Sequence, residues 1–172
     1  MSGNMAELGV YQGDFARVLN KALPERKLYL FDTFEGFNKQ ELQNEVDKYG
    51  KSVESMLFYD KIVSSNVNLE AVVNSMPNPS TIVIKKGWFP DTFDIPDERF
   101  CFVNIDPDLY EPTKAGLELF YPRMSKGGVI LVHDYTKLIG VTEAVDEFLA
   151  KTPDAISLPI GDFLSIAIIK TK

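Results

Sequence analysis

Residues 100–135 read FCFVNIDPDLYEPTKAGLELFYPRMSKGGVILVHDY. The segment opens on an apolar run, Phe100 to Asp106, and ends on another, Gly128 to His133. Neither run alternates strictly, so both read as strands covered on two faces, as in a parallel sheet. Between them Leu117, Phe120, Tyr121 and Met124 recur at helical spacing, and Pro112 suits the first turn of that helix. Strand, helix and strand in succession make a βαβ unit.

The same alternation extends outward in both directions. Further strand-length runs lie at Met5 to Val10, Lys27 to Asp32, Thr81 to Lys85 and Ser165 to Ile169. Helical stripes are expected from Phe15, Val18, Leu19 and Ala22, from Leu69, Val72, Val73 and Met76, and from Val141, Val145 and Phe148. The fold class is α/β, a mostly parallel sheet with helices on both faces. A short candidate strand at Ala155 to Leu158 is followed by Pro159-Ile160-Gly161-Asp162 and the last strand. That connection is too short for a crossover helix, so the final pair should be antiparallel and the sheet seven-stranded. From Glu35 to Ser65 apolar residues are sparse; a solvated helical excursion is one reading and a lid over a ligand the other.

The 172 residues carry 18 Lys+Arg against 25 Asp+Glu, a net of −7, which disfavours a broad basic face for nucleic acid or anionic membrane. A neutral or cationic small ligand suits that balance better. One cysteine, Cys101, allows neither an internal disulfide nor a Cys-based zinc site, and a reducing cytoplasmic setting is expected. With 45% apolar residues there is material for one domain, residues 1–172, and no run approaches a membrane span of roughly 18 residues.

Three strand ends carry polar residues suited to chemistry. The first strand runs into Glu7-Leu-Gly9-Val-Tyr-Gln-Gly13-Asp14, a glycine turn with Asp14 as the expected N-cap. An acid at that helix start would repel a pyrophosphate, so a ligand with a positive centre is favoured over a dinucleotide; an ordinary tight turn is the alternative. The second strand ends at Asp32, nineteen residues beyond Gly13, where a carboxylate can accept both hydroxyls of a ribose or simply cap a turn. The fourth and fifth end in Asn104-Ile-Asp106-Pro-Asp108 and His133-Asp134-Tyr135. Asp106, His133 and Asp134 could hold a divalent ion, or His133 could be a structural, hydrogen-bonded residue. Strand alternation favours His133 turning into the core, away from Asp134.

Taken together, AELGVYQGDFARVLN (6–20), LYLFDTFEGF (28–37), KGWFPDTF (86–93), residues 102–135 and LPIGDFLSIAIIK (158–170) resemble the class I S-adenosylmethionine-dependent methyltransferases, and more narrowly the macrocin O-methyltransferase (TylF-type) family. The resemblance implies a Rossmann-like seven-stranded methyltransferase sheet with an antiparallel last strand, and an O-methyltransferase acting on a small-molecule hydroxyl such as that of a sugar or natural product. It assigns Glu7, Gly9 and Gly13 to the cofactor's methionine part, Asp32 to its ribose, and Gly87 and Trp88 to its adenine pocket. Ordinary core is the alternative for Trp88. It assigns Asp106 and Asp134 to Mg²⁺ and Asp108 to the catalytic base. Mg²⁺-dependent members carry an Asp where this chain has His133. The family's usual N-terminal helices do not precede the first strand, which starts at Met5, so a homo-oligomer is expected, with Phe34, Phe37, Trp88 and Phe89 as the apolar surface it would cover. A nicotinamide-dependent oxidoreductase and a non-catalytic methyltransferase-like module are the competing readings.

Overall fold

A computed structural model describes residues 1–95 and 97–172. Its elements run β1 (Asn4–Leu8), α1 (Asp14–Ala22), β2 (Leu28–Asp32), α2 (Lys39–Tyr49), α3 (Val53–Asn66), α4 (Leu69–Ser75), β3 (Ile82–Lys86), β4 (Phe100–Ile105), α5 (Tyr110–Phe120), β5 (Met124–Val132), α6 (Ile139–Lys151), β6 (Ile156–Pro159) and β7 (Ile166–Ile169). Among the described residues the strands form one sheet in the order β3-β2-β1-β4-β5-β7-β6. The first five pair in parallel, and β7 runs antiparallel to both β5 and β6. The short β6–β7 connection does what its length requires.

Each covered strand sends alternate residues to two cores. On one face Ala6, Leu8, Tyr29, Phe31, Val103 and Ile105 meet Leu117 and Phe120 of α5 and Val141 and Val145 of α6. On the other, Met5, Leu28, Leu30 and Cys101 meet Ala16 and Leu19 of α1, Val72 of α4 and Met76 at the C-cap of α4. Phe120 is fully buried, with its ring centroid 5.7 Å from Phe31, 5.1 Å from Phe93 and 5.3 Å from Phe100, all edge-on. Truncating such a residue to Ala costs about 3–5 kcal/mol. No helix among the described residues is long and apolar enough to cross a membrane.

Four expectations need correction. Met124, placed on the stripe of the helix after Pro112, begins β5 instead, because α5 ends at Phe120 and Pro122 follows, which cannot continue the helical hydrogen bonding. The buried face of α1 is Ala16, Leu19 and Asn20, while Phe15, Val18 and Ala22 are exposed. Asn20 sets that rotation: it donates to Asn78 O (3.2 Å) and Thr81 Oγ1 (3.1 Å) and accepts from Asn78 N (2.7 Å), a polar anchor invisible to apolar spacing. The N-cap of α1 is Gly13, at φ 78°, and Asp14 is the first helical residue, paired with Arg17 at 2.7 Å. Phe34 and Phe89 are core residues, each 7% exposed, and so do not belong to an apolar surface. Exposed apolar side chains lie instead on α3, at Leu57, Phe58 and Ile62, and at Phe163 between β6 and β7.

The Glu35 to Ser65 excursion forms α2 and α3, both capped by side chains: Asn38 accepts from Gln40 N and Glu41 N, and Ser52 accepts from Ser55 N. Leu42 and Met56 close a small third core on Leu109, just after the β4 turn. The buried Glu45 of α2 accepts from Tyr110 N at 2.7 Å and from Lys51 Nζ at 2.7 Å, which supplies the start of α5 with a cap its own N-cap residue, Leu109, lacks. These contacts hold the excursion across the carboxyl edge of the sheet.

Candidate functional site

The carboxyl ends of β1, β2, β4 and β5 open into a cavity of about 520 Å³ walled by α2 and α3. Glu7, Gly9, Asp32, Gly87, Trp88, Asp106, Asp108, His133 and Asp134, all anticipated from sequence, line it. Gly13 is buried beside it instead: a Cβ there would come within 2.8 Å of Val72 of α4, so its glycine serves helix packing. Trp88 is 41% exposed and is not core.

Glu7 is only 2% exposed, on the sheet face that α1 covers. Its Oε1 accepts from Asn104 Nδ2 at 3.0 Å, while Oε2 is buried without a hydrogen-bond partner among the described residues. Burial pushes its carboxyl up to about 8, with Asp106 and Asp32 adding repulsion against the lowering effect of Asn104. A buried acid that lines a cavity and has one oxygen unpartnered among the described residues fits a cationic or donor group of a ligand.

Asp32 organises the glycine turn from the next strand. Its Oδ2 accepts from Val10 N (2.6 Å) and Tyr11 N (3.0 Å), and its Oδ1 accepts from Phe34 N (2.7 Å). The carboxylate thus carries the turn-capping role anticipated as the alternative, and still borders the cavity. Gly9, at φ 83°, packs so tightly on the β4 turn that a Cβ would overlap the Asp106 carbonyl oxygen.

Across the cavity, Asp106, His133 and Asp134 each bring one ligating atom within 4.8 Å of the others. His133 does not turn into the core, contrary to the expectation from alternation. The strand ends at Val132, Asp134 takes φ 55°, and this left-handed residue swings its carboxylate back beside the imidazole. Nδ1 of His133 lies 3.1 Å from Asp106 Oδ1 and 3.6 Å from Asp134 Oδ1, and Lys137 Nζ lies 3.4 Å from Asp134 Oδ1. The hydrogen bond to Asp106 raises the imidazole to about 9. Two carboxylates and an imidazole fit a borderline divalent ion such as Mn²⁺, Fe²⁺ or Zn²⁺ better than Mg²⁺, which prefers oxygen alone.

Asp108 sits at φ 62°, immediately before the Leu109 N-cap of α5. Burial first, then Asp106 and Asp134, drive its carboxyl well above the usual carboxylate range, the direction that suits a general base near neutral pH. Tyr59 of α3 donates to its Oδ2 at 3.2 Å.

The sequence model of the macrocin-O-methyltransferase (TylF) family matches residues 1–167. The chain belongs to the TylF family. It is 30% identical over 162 residues to the mycinamicin III 3''-O-methyltransferase of Micromonospora griseorubida, a match covering 85% of this chain and 60% of that protein. It is 29% identical over 170 residues to the 8-demethyl-8-(2,3-dimethoxy-alpha-L-rhamnosyl)-tetracenomycin-C 4'-O-methyltransferase of Streptomyces olivaceus, covering 93% and 62%. The chain thus spans about three fifths of the length of the curated relatives it matches. The solved O-methyltransferase NovP superposes with a TM-score of 0.81 at 25% identity, over 99% of this chain and 73% of that one. The calicheamicin methyltransferase CalS11, at a TM-score of 0.69 and 23% identity over 99% of this chain and 72% of that one, shares the fold.

In this TylF-family chain, several cavity residues escape motif reading. Asn38, Glu41 and Tyr59 come from the polar excursion, and Lys137 from the turn after β5. Burial and the nearby Glu111 raise Glu41 to about 7. One signal was available: Asn38 precedes a helix with acceptor chemistry, which fixes where α2 starts, but nothing local says that the helix then folds over the sheet edge. Three cavity residues other than glycine, Tyr11, Asp108 and Asp134, take positive φ, a clustering of strained backbone at a site that no composition reveals.

Proposed function

We propose that this chain is an S-adenosylmethionine-dependent O-methyltransferase that methylates a hydroxyl of a sugar-bearing or other natural-product acceptor. The observation that carries the reading is the single cavity shared by the buried, half-partnered Glu7 and the raised acid Asp108. TylF-family membership and the acceptors in the relatives' names support the same choice. S-adenosylmethionine supplies an electrophilic methyl group on a sulfonium. Glu7 faces the cationic methionine end, the turn held by Asp32 takes the ribose, and Gly87 and Trp88 offer the adenine a backbone shelf and an aromatic face. Asp108 takes the proton of the acceptor hydroxyl as the oxygen bonds to the methyl carbon, while the electron pair of the broken C–S bond stays on sulfur. Orientation of oxygen, carbon and sulfur in line supplies much of the rate.

A divalent ion, where bound, would be held by Asp106, His133 and Asp134 and would make the acceptor hydroxyl more acidic. Without one, the raised His133 and Lys137 offset the two carboxylates. A homo-oligomer that covers the exposed α3 side chains and Trp88 belongs to the same reading.

The test is calorimetry with S-adenosylmethionine and S-adenosylhomocysteine, followed by transfer of labelled methyl to mycinamicin III, methyl α-L-rhamnopyranoside and catechol, with Mg²⁺, Mn²⁺ or chelator. Cofactor binding with transfer to a glycoside is expected. Binding of neither nucleoside would defeat the proposal.

A further inference from the structure

Nothing in the sequence motifs accounts for Tyr59, yet it is the residue of the excursion that reaches Asp108. Its phenol donates to Asp108 Oδ2 at 3.2 Å, and its ring stacks on Phe37 with centroids 5.6 Å apart and planes 25° from parallel. The next residue, Asp60, holds the backbone of the same Phe37: its Oδ1 accepts from Phe37 N at 2.7 Å. Gly36 is needed there, since at φ 99° its missing Cβ would crowd the same Asp60 carboxylate. Two consecutive residues of one helix therefore grip the loop that follows Asp32 and the acid that follows β4. Leu42 and Met56, packed on Leu109, back this arrangement from behind.

We propose that Tyr59 is a positioning residue for Asp108, and that α3 is a strap tying the cofactor-side loop after β2 to the base. The inference rests on the reading of Asp108 as the base in methyl transfer. A carboxylate on a left-handed backbone residue can rotate about its terminal torsion, and a fixed donor on one oxygen selects one rotation. Misalignment by about 1 Å costs up to 10²-fold in rate without changing how tightly the reactants bind. The Phe37 stack fixes the phenol ring, so the hydroxyl acts from a preset place.

The experiment compares the wild type, Tyr59→Phe, Asp108→Asn and the double variant in labelled-methyl transfer to the acceptors named above, with S-adenosylhomocysteine affinity by calorimetry and melting temperature for each. Tyr59→Phe keeps the ring and its stack. Its kcat should fall about tenfold, with acceptor KM and S-adenosylhomocysteine Kd within about twofold of wild type. On the Asp108→Asn background the same change should have no further effect. As a second route, Asp60→Ala, which frees the loop at Phe37, should lower kcat in the same direction, and Asp60→Asn, which keeps an acceptor oxygen, should restore it. If Asp108→Asn is inactive while Tyr59→Phe retains wild-type kcat, the strap falls and the base stands. If Asp108→Asn is fully active, the base assignment falls and takes Tyr59 with it. Absence of transfer by the wild type to every acceptor overturns the methyl-transfer reading, and this inference with it.

Discussion

Glu7 of β1 and Asn104 of β4 are direct partners in the parallel register, and the Asn104 amide donates to Glu7 Oε1 at 3.0 Å. The pair lies on the α1 face of the sheet, where one of the two carboxyl oxygens has no partner among the described residues. Burial holds the Glu7 carboxyl at about 8 in the fold against 4.5 for a solvated glutamate. Between those values the folded chain keeps a proton that the unfolded chain releases, so stability is greatest below pH about 4.5 for this group and is lost as pH rises through about 8. Chemical denaturation at pH 5, 7 and 9 should show that loss in the wild type, and Glu7→Gln should reduce it by a few kcal/mol, at about 1.4 kcal/mol per pKa unit. Parallel curves for the two proteins would rule the account out.

Asp32 accepts from three backbone amides at the cavity rim, so its removal reaches both fold and ligand. Asp32→Ala should lower stability by about 1–3 kcal/mol, as for amides left without their charged acceptor. It should also weaken S-adenosylmethionine by about 1.5–3 kcal/mol of binding free energy. Calorimetry and denaturation on the same samples separate the two losses; an unchanged affinity would remove Asp32 from the ribose.

Two glycines with similar backbone angles should respond differently to alanine. Gly9, at φ 83°, would drive its Cβ into the Asp106 carbonyl oxygen, whereas Gly50, at φ 65° in the C-cap of α2, has open space around it. Gly50→Ala should cost about 1 kcal/mol, the left-handed penalty alone. Gly9→Ala should cost clearly more and should also abolish cofactor binding. Equal melting temperatures for the two variants would contradict the packing argument.

The imidazole of His133 makes metal affinity a competition with protons. Held at about 9 by Asp106, it must lose its proton before it can ligate. Titrations of the protein with Zn²⁺, Mn²⁺ and Mg²⁺ should rank in that order. Zn²⁺ affinity should rise by about tenfold per pH unit up to about 9. His133→Ala should erase the preference over Mg²⁺. Mg²⁺ binding tighter than Zn²⁺ to the wild type would contradict the imidazole's role.

Apolar runs were sufficient to place the covered strands, because a strand buried on two faces must be apolar along its length, whereas the exposed edge strand β6 was legible only as a short run before the last turn. The short Pro159 to Asp162 connection likewise fixed the antiparallel finish, since chain length alone forbids a crossover. Strand ends then delivered Glu7, Asp32, Asp106 and Asp108 to one edge of a parallel sheet by topology. Tertiary structure decided what depends on rotation and reach. Asn20 turned α1 about its axis, and the left-handed Asp134 brought its carboxylate beside His133 where alternation sends the two apart. Helix α3 laid Tyr59 on Asp108, forty-nine residues away in sequence. Periodicity records which residues are apolar, and these contacts are made by polar groups whose partners are set only when distant segments meet.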